Sequence, residues 1–335
     1  MRHQYIERES GRIRTEVFLG DGLVGFLYGT VREKAPALFD ILTSARISSF
    51  LGFLNYDTFL GQRISRRFSR DAGIDLSECL DSPHAIDTPR KVFERKIRYW
   101  ELRPLAHGKD CVLSPADAKV FAGSFQETSS LYVKGKFFDF EELLGEGRDG
   151  WVPAFRDGDF AVFRLTPEKY HYNHVPVSGT VLDIYEIPGR YHSCHPKAVL
   201  SIPTPHSKNK RVVTILDTDL PGGTGVGLVA MVEIVALMIG GIEQCYSEER
   251  YDHPQPVTRG LFLQAGCPKS LFRPGSSTVI LVFQKDRVIF EEDILRNLSA
   301  GTVESRYSLG LGRPVVETDV KVRSAIARAR KKVGP

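Results

Sequence analysis

The chain has 335 residues, 42% of them hydrophobic, enough for a sizeable core and too many for wholesale disorder. Its 45 basic and 41 acidic residues leave a formal net charge of +4, which argues against a dedicated nucleic-acid binder. The five cysteines (Cys79, Cys111, Cys194, Cys245, Cys267) are scattered and include no CxxC pair, so neither a disulfide framework nor a zinc ribbon is indicated, and a reducing compartment is expected.

In chain order, the first eight residues lack the apolar core of a signal peptide. Residues 15–70 read as helical, with Leu38, Ile41, Leu42, Phe50, Leu51 and Leu54 at helical spacing. Phe18, Phe26, Tyr28, Phe50 and Phe53 precede a basic stretch of Arg63, Arg66, Arg67 and Arg70. That combination suits an amphipathic element on an anionic membrane surface. It also suits a helical pair packed on the rest of the chain with its arginines in water.

The segment from Asp75 to Pro104 is polar and proline-bearing, a connection between regions. From Cys111 onward, short β-branched runs (Ala161–Leu165, Val181–Ile187, Arg211–Leu216, Val279–Phe283, Arg287–Phe290) alternate with turn residues. Asp139 suits the N-cap of a short helix over Phe138–Leu144. The apolar run from Gly225 to Ile242 holds Glu233 and several glycines, which favours buried strands, or a strand and a helix, over a membrane span. The expected fold class is α+β: a mostly β domain over residues 105–335 behind an N-terminal helical, membrane-associating region over residues 1–104.

Four constellations carry candidate chemistry. Ser114-Pro115-Ala116-Asp117 is a proline turn presenting a carboxylate, which by itself is an ordinary turn or cap. Tyr170-His171-Tyr172-Asn173-His174 holds two histidines three apart, suited to acid–base work or to local hydrogen bonding; no carboxylate or cysteine at ligand spacing supports a metal. Tyr191-His192-Ser193-Cys194-His195 invites a metal reading but has no second ligand cluster, so no metal is expected. Pro274-Gly275-Ser276-Ser277-Thr278 runs directly into an apolar strand. Such a turn is common, yet it also lets a serine hydroxyl approach the preceding carbonyl, as self-cleavage requires.

Taken together and in this order, these residues resemble the phosphatidylserine decarboxylase family. Its Ser-Pro-Ala-Asp-Gly turn is met by Ser114–Ala118, and its Lys-Gly segment and Leu-Leu-Gly helix end by Lys134-Gly135 and Leu143–Gly145. Its Arg-Leu-x-Pro-x-x-Tyr-His-x-x-His-x-Pro-Val-x-Gly signature runs from Arg164 to Gly179. An Asn-x-Arg-Val segment follows at Asn209–Val212, and the serine turn comes last. Arg103-Pro104-Leu105 and the tail from Gly301 to Gly312 resemble the longer members.

The resemblance implies a proenzyme. Asp117 would orient His174, and His174 would take the proton of a serine in the 276–277 pair. An N→O acyl shift, elimination and hydrolysis would then leave a covalent pyruvoyl group heading a small chain. Alignment with a Gly-Gly-Ser-Thr variant favours Ser277 as the precursor; Ser276 is the alternative. His171 is the candidate for proton transfer during turnover, although the roles of the two histidines stay open. The pyruvoyl ketone would condense with the substrate amine and serve as the electron sink for decarboxylation, without metal or dissociable cofactor.

Three functions follow. The leading one is decarboxylation of phosphatidylserine to phosphatidylethanolamine at the cytoplasmic side of the cell membrane by a peripheral enzyme. The second is a pyruvoyl decarboxylase of a soluble amino acid, aromatic ones included, which would be cytoplasmic. The third is a non-enzymatic relative that keeps the fold. A homodimer is expected only by analogy. Departures from the family pattern (Ala118 for glycine, Cys194-His195 for Val-Asn, Val235 for glycine, and no acidic residue in Gln264–Ser270) put the substrate in question more than the chemistry.

Overall fold

The computed structural model describes residues 2–18, 20–44, 47, 73–125, 137–145, 147, 150–237, 241–274 and 277–331. Among these, ten strands build one sheet. In spatial order they are β11 (Phe262–Leu263), β7 (Gly179–Ile187), β8 (Arg211–Asp217), β9 (Leu228–Ile234), β13 (Ser277–Phe283), β5 (Asp159–Leu165), β4 (Ala118–Ser124), β15 (Thr318–Val320), β1 (Gln4–Glu7) and β2 (Ile13–Thr15). Two three-stranded sheets accompany it: β10 (Ile242–Gln244), β12 (Pro268–Phe272) and β6 (Tyr172–His174); and β14 (Val288–Phe290), β16 (Ala325–Ala329) and β3 (Cys111–Leu113). The fold is α+β with most of its core in sheet.

The β-branched runs become strands for the expected reason. All of β13 is buried and paired on both sides, to β5 and β9, so both of its faces need apolar side chains. Val279, Leu281, Phe163 and Met231 face the two small sheets; Ile280, Val282, Val162 and Val232 face the helices Phe140–Leu144, Val152–Phe155 and Arg306–Leu311. Each such side chain contributes roughly 1.5–3 kcal/mol by leaving water. Asp139 caps its helix as its sequence suggests, its carboxylate accepting from the amide of Glu142 at 2.9 Å. Within the run Gly225–Ile242 the structure places β9 and the start of β10.

The N-terminal region differs in part from the helical expectation. Residues 4–7 and 13–15 form a hairpin that extends the main sheet, because Ile6 and Glu7 pair in parallel with Thr318 and Asp319. Residues 21–34 and 36–42 are then helical, with a break at Ala35 and a π-helical turn over Leu27–Val31. Tyr28 faces inward, its hydroxyl accepting from the Ser193 amide at 2.6 Å, and Phe18 packs on His195 with ring centres 4.3 Å apart. Phe50, Phe53 and the four arginines lie outside the described residues. Among the described residues, no helix is long and apolar enough to cross a membrane.

Candidate active site

The site forms where the chain crosses between sheets. Strand β6, carrying His174, pairs with β12 so that Pro268 lies opposite His174 and Leu271 opposite Tyr172. One step beyond the registered pairs, the Phe272 amide donates to the His171 carbonyl at 3.1 Å. The chain then leaves the small sheet, and by Ser277 it has entered the main sheet opposite Leu165. Strand β5 ends at Leu165 and leads through Thr166–Tyr170 back to His171. Both ends of the serine turn are therefore tied to the segment that carries the two histidines. Gly275 and Ser276 lie outside the described residues.

Ser277 is fully buried, on the face of β13 shared with Val279 and Leu281, and its hydroxyl has no hydrogen-bond partner among the described residues. His171 is also fully buried, stacked on Phe93 with centroids 3.5 Å apart, and neither ring nitrogen has a partner among the described residues. Burial, then the nearby Arg95 guanidinium, hold its pKa well below the usual range and keep the ring neutral. Buried polar atoms without partners are rare in native folds. Others occur elsewhere among the described residues, at Thr214 and Ser305 for example, so the chemical signal is that a serine hydroxyl and a whole imidazole share this condition at one crossing.

His174 is held on both sides. Its Nδ1 lies 2.8 Å from the Gly266 carbonyl and its Nε2 lies 3.0 Å from the Tyr170 hydroxyl. Its backbone amide donates to the Pro115 carbonyl at 2.7 Å, which fastens the Ser-Pro-Ala-Asp turn to the histidine strand. Burial lowers its pKa to about 3, against the opposing pull of the Gly266 carbonyl.

The expected contact from Asp117 to His174 is not made. Arg103 takes both oxygens of Asp117, with Nε at 3.0 and 3.1 Å and Nη2 at 2.8 Å, and the Val322 amide donates to Oδ1 at 2.8 Å. A planar guanidinium matches a carboxylate in a way an imidazole edge cannot. Glu78 completes the group, accepting from Arg103 at 2.9 and 3.1 Å. Burial pulls the Asp117 pKa up, but the Arg103 charge outweighs it and the carboxyl is held below its ordinary value. Asp117 still favours a positive charge on both His171 and His174 through space. It also lines a cavity of about 290 Å³ together with Arg95, Arg103, Lys169 and Tyr170.

The remaining sequence constellations serve architecture. His192 lies parallel to Phe39, and His195 lies 3.1 Å from Asp21, so both brace the N-terminal helices. Asn209 ties the His192 and Val235 carbonyls together at 2.8 and 2.9 Å. Two of the departures meet: Cys194 and Val235 share one buried cluster beside the end of β9. Gln264–Ser270 holds no acidic residue, but Glu233 of β9 meets this segment: it bonds Lys269 at 2.7 Å and also accepts from Ser270 and, at 3.3 Å, from Asn173. Among the described residues, His3, Glu16 and Glu317 converge as metal ligands would, but Arg164 already sits 2.6 Å from each carboxylate and Lys119 brings a second positive charge 3.4 Å from Glu16.

Sequence reasoning missed Phe93, Arg103 and Tyr251 and assigned Tyr170 no role. Arg103 and Tyr170 stand inside the quoted motifs, whereas nothing local marks Tyr251.

The profile of the phosphatidylserine decarboxylase family matches residues 90–302, a span holding the Asp117 turn, both histidines and the serine pair. The chain belongs to the phosphatidylserine decarboxylase family. It is 30% identical over 308 residues to a phosphatidylserine decarboxylase proenzyme of Fusobacterium nucleatum, covering 92% of this chain and 95% of that protein. The proenzyme of Clostridium tetani is 29% identical, with 92% and 96% covered. Phosphatidylserine decarboxylase proenzyme 2 of Oryza sativa is 36% identical over 242 residues, covering 71% of this chain and 36% of the longer plant protein. Phosphatidylserine decarboxylases of this family are self-processing carboxy-lyases.

Proposed function

We propose that the protein cleaves itself before Ser277 and decarboxylates phosphatidylserine to phosphatidylethanolamine. The observation that carries this reading is the orphaned Ser277 hydroxyl, buried at the first residue of β13, on a turn whose other end is bonded to His171. A hydroxyl with no competing partner is available to attack the carbonyl before it. The small, dry environment suits a covalent group made from the chain itself. Cleavage there divides the chain into residues 1–276 and 277–335.

His174 is the base for processing, with Asp117 supplying field rather than a direct bond. His171, neutral and with both nitrogens open, exchanges the proton at the substrate carbon during turnover. The pyruvoyl group supplies the ketone that takes up the substrate amine and accepts the electrons released with carbon dioxide.

The N-terminal region supports a peripheral membrane role. Val17, Leu23, Phe26, Leu38 and Ile41 are all exposed on it, and a lipid surface would cover them. Flotation with anionic vesicles tests this part: the protein should rise with the lipid, and Leu23→Ser/Phe26→Ser should not.

Mass spectrometry of the purified protein tests the core claim. Two chains should replace the 37.5 kDa species, the smaller with a blocked, hydroxylamine-reactive end. Ser277→Ala should abolish the cut, whereas Ser276→Ala should not. One intact chain without a reactive carbonyl would refute the assignment. Turnover of free amino acids without vesicles, and none of phosphatidylserine, would move the substrate to the soluble class.

A further inference from the structure

Beyond His174 lies a chain of hydroxyls that ends on the backbone. The Tyr170 hydroxyl, 3.0 Å from His174 Nε2, is also 2.7 Å from the Tyr251 hydroxyl. The Tyr251 hydroxyl in turn meets both polar groups of Ile97, the amide at 3.1 Å and the carbonyl at 2.9 Å. Tyr170 is 1% and Tyr251 7% exposed, so water does not stand in for these partners.

The hydrogen positions follow from chemistry. A carbonyl only accepts, so the Gly266 oxygen fixes the hydrogen of neutral His174 on Nδ1 and leaves Nε2 as the acceptor. Tyr170 then donates to Nε2, Tyr251 donates to Tyr170, and the Ile97 amide donates to Tyr251. The Ile97 carbonyl is not orphaned, because the Tyr99 amide reaches it at 2.8 Å.

Protonating Nε2 reverses the whole series. Nε2–H donates to Tyr170, Tyr170 donates to Tyr251, and Tyr251 donates to the Ile97 carbonyl. Both arrangements are complete, and apart from the proton added at Nε2 they differ only by rotation of two hydroxyl hydrogens.

We infer that Tyr170 and Tyr251 form a reversible hydroxyl relay that occupies Nε2 of the Nδ1–H tautomer set by Gly266 and satisfies the ring in both of its protonation states. They are positioning residues: they act on the reaction through His174. This inference rests on the decarboxylase reading for its kinetic consequence but not for its structural one. Without the relay, a proton arriving at Nε2 would create a buried cation with one donor unpaired, which is costly. The other charged groups around the ring are Asp117, Arg103 and Arg323, with the Tyr99 ring edge-on at 4.7 Å. None of them offers an acceptor to Nε2 among the described residues.

The test compares Tyr251→Phe, Tyr170→Phe and Tyr172→Phe in the full chain. Tyr172 packs on both relay rings, at 5.6 and 5.0 Å, without joining the hydroxyl series. Self-processing should slow about ten- to a hundred-fold in Tyr170→Phe and about ten-fold in Tyr251→Phe, while Tyr172→Phe keeps the wild-type rate. Nitrogen-15 spectra of the histidine rings give a readout that a packing role would not move. Wild-type His174 should show a protonated Nδ1 and a hydrogen-bonded Nε2, and in Tyr170→Phe the Nε2 signal should move to the position of a bare lone pair. An unchanged Nε2 signal, or equal slowing in all three variants, overturns the relay. If the wild-type chain proves never to cleave, the decarboxylase reading fails, and the nitrogen spectra alone then decide the relay.

Discussion

Phe272 donates its amide to the carbonyl of His171, and within five residues the chain has left one sheet and entered another at Ser277. Histidine and serine are 106 positions apart, yet the Phe272–His171 bond on one side and the pairing of Ser277 with Leu165 on the other bring them to the same crossing. Phe93 closes the same corner from the other side, its ring lying on the His171 imidazole. Phe93→Ala should cost about 3–5 kcal/mol by opening a cavity. Water entering that cavity should let the His171 pKa rise toward its ordinary value, since burial is the main cause of its depression. Denaturant unfolding and a histidine titration by NMR measure the two effects.

Arg103 and Asp117 form a buried pair that neither partner can leave cheaply. Arg103→Met strands the carboxylate and should destabilise the protein by about 3–5 kcal/mol. Arg103→Lys should fall between that variant and wild type, because an ammonium cannot reproduce the two-pronged contact. Urea midpoints order the three proteins, and equal midpoints would show that the pair contributes nothing.

Lys269 and Glu233 are both fully buried, in contact at 2.7 Å and joined to Gln244, Ser270 and Asn173. Lys269→Met should cost about 3–5 kcal/mol, and adding Glu233→Gln should recover much of the loss by removing the stranded charge. A double-mutant cycle in urea measures the coupling; strict additivity would mean the two side chains act independently.

Stability should fail in mild acid. Burial lowers His174 to about 3 and His192, His195 and His206 each to about 4, from an ordinary 6.5. The unfolded chain therefore takes up protons that the folded chain refuses as pH falls below 6.5. Stability is complete above that value and declines toward pH 4. At lower pH, protonation of Asp117, whose folded pKa is also depressed, removes more. Urea unfolding between pH 8 and 4 should show the midpoint falling, with net proton uptake on unfolding.

Gly179 closes the histidine signature for a steric reason. A Cβ there would lie 2.4 Å from the Asp217 carbonyl oxygen on the neighbouring strand. Gly179→Ala should destabilise the protein by about 1–3 kcal/mol as β7 and β8 are forced apart, with the thermal midpoint as the measure.

The sequence was informative wherever the physics is local. β-branched runs marked β5, β7, β8, β13 and β14, an aspartate three residues before an amide marked one helix start, and the order of motifs marked the family. It named Asp117, His174 and the serine turn as one candidate site, and in the structure Asp117 bonds Arg103 rather than His174. A guanidinium fourteen residues upstream competes better for Asp117, and periodicity says nothing about such competition.

The chain order of these residues was enough to determine which chemistry the protein can carry, because that depends on side-chain types and their succession. Which group each side chain touches was decided by folding: Arg103 rather than His174 on Asp117, Tyr170 and then Tyr251 behind His174, Phe93 over His171. These hydrogen bonds and ring contacts join residues from 4 to 81 positions apart, several of them on helices and loops outside the strands, so they exist only once the chain has folded.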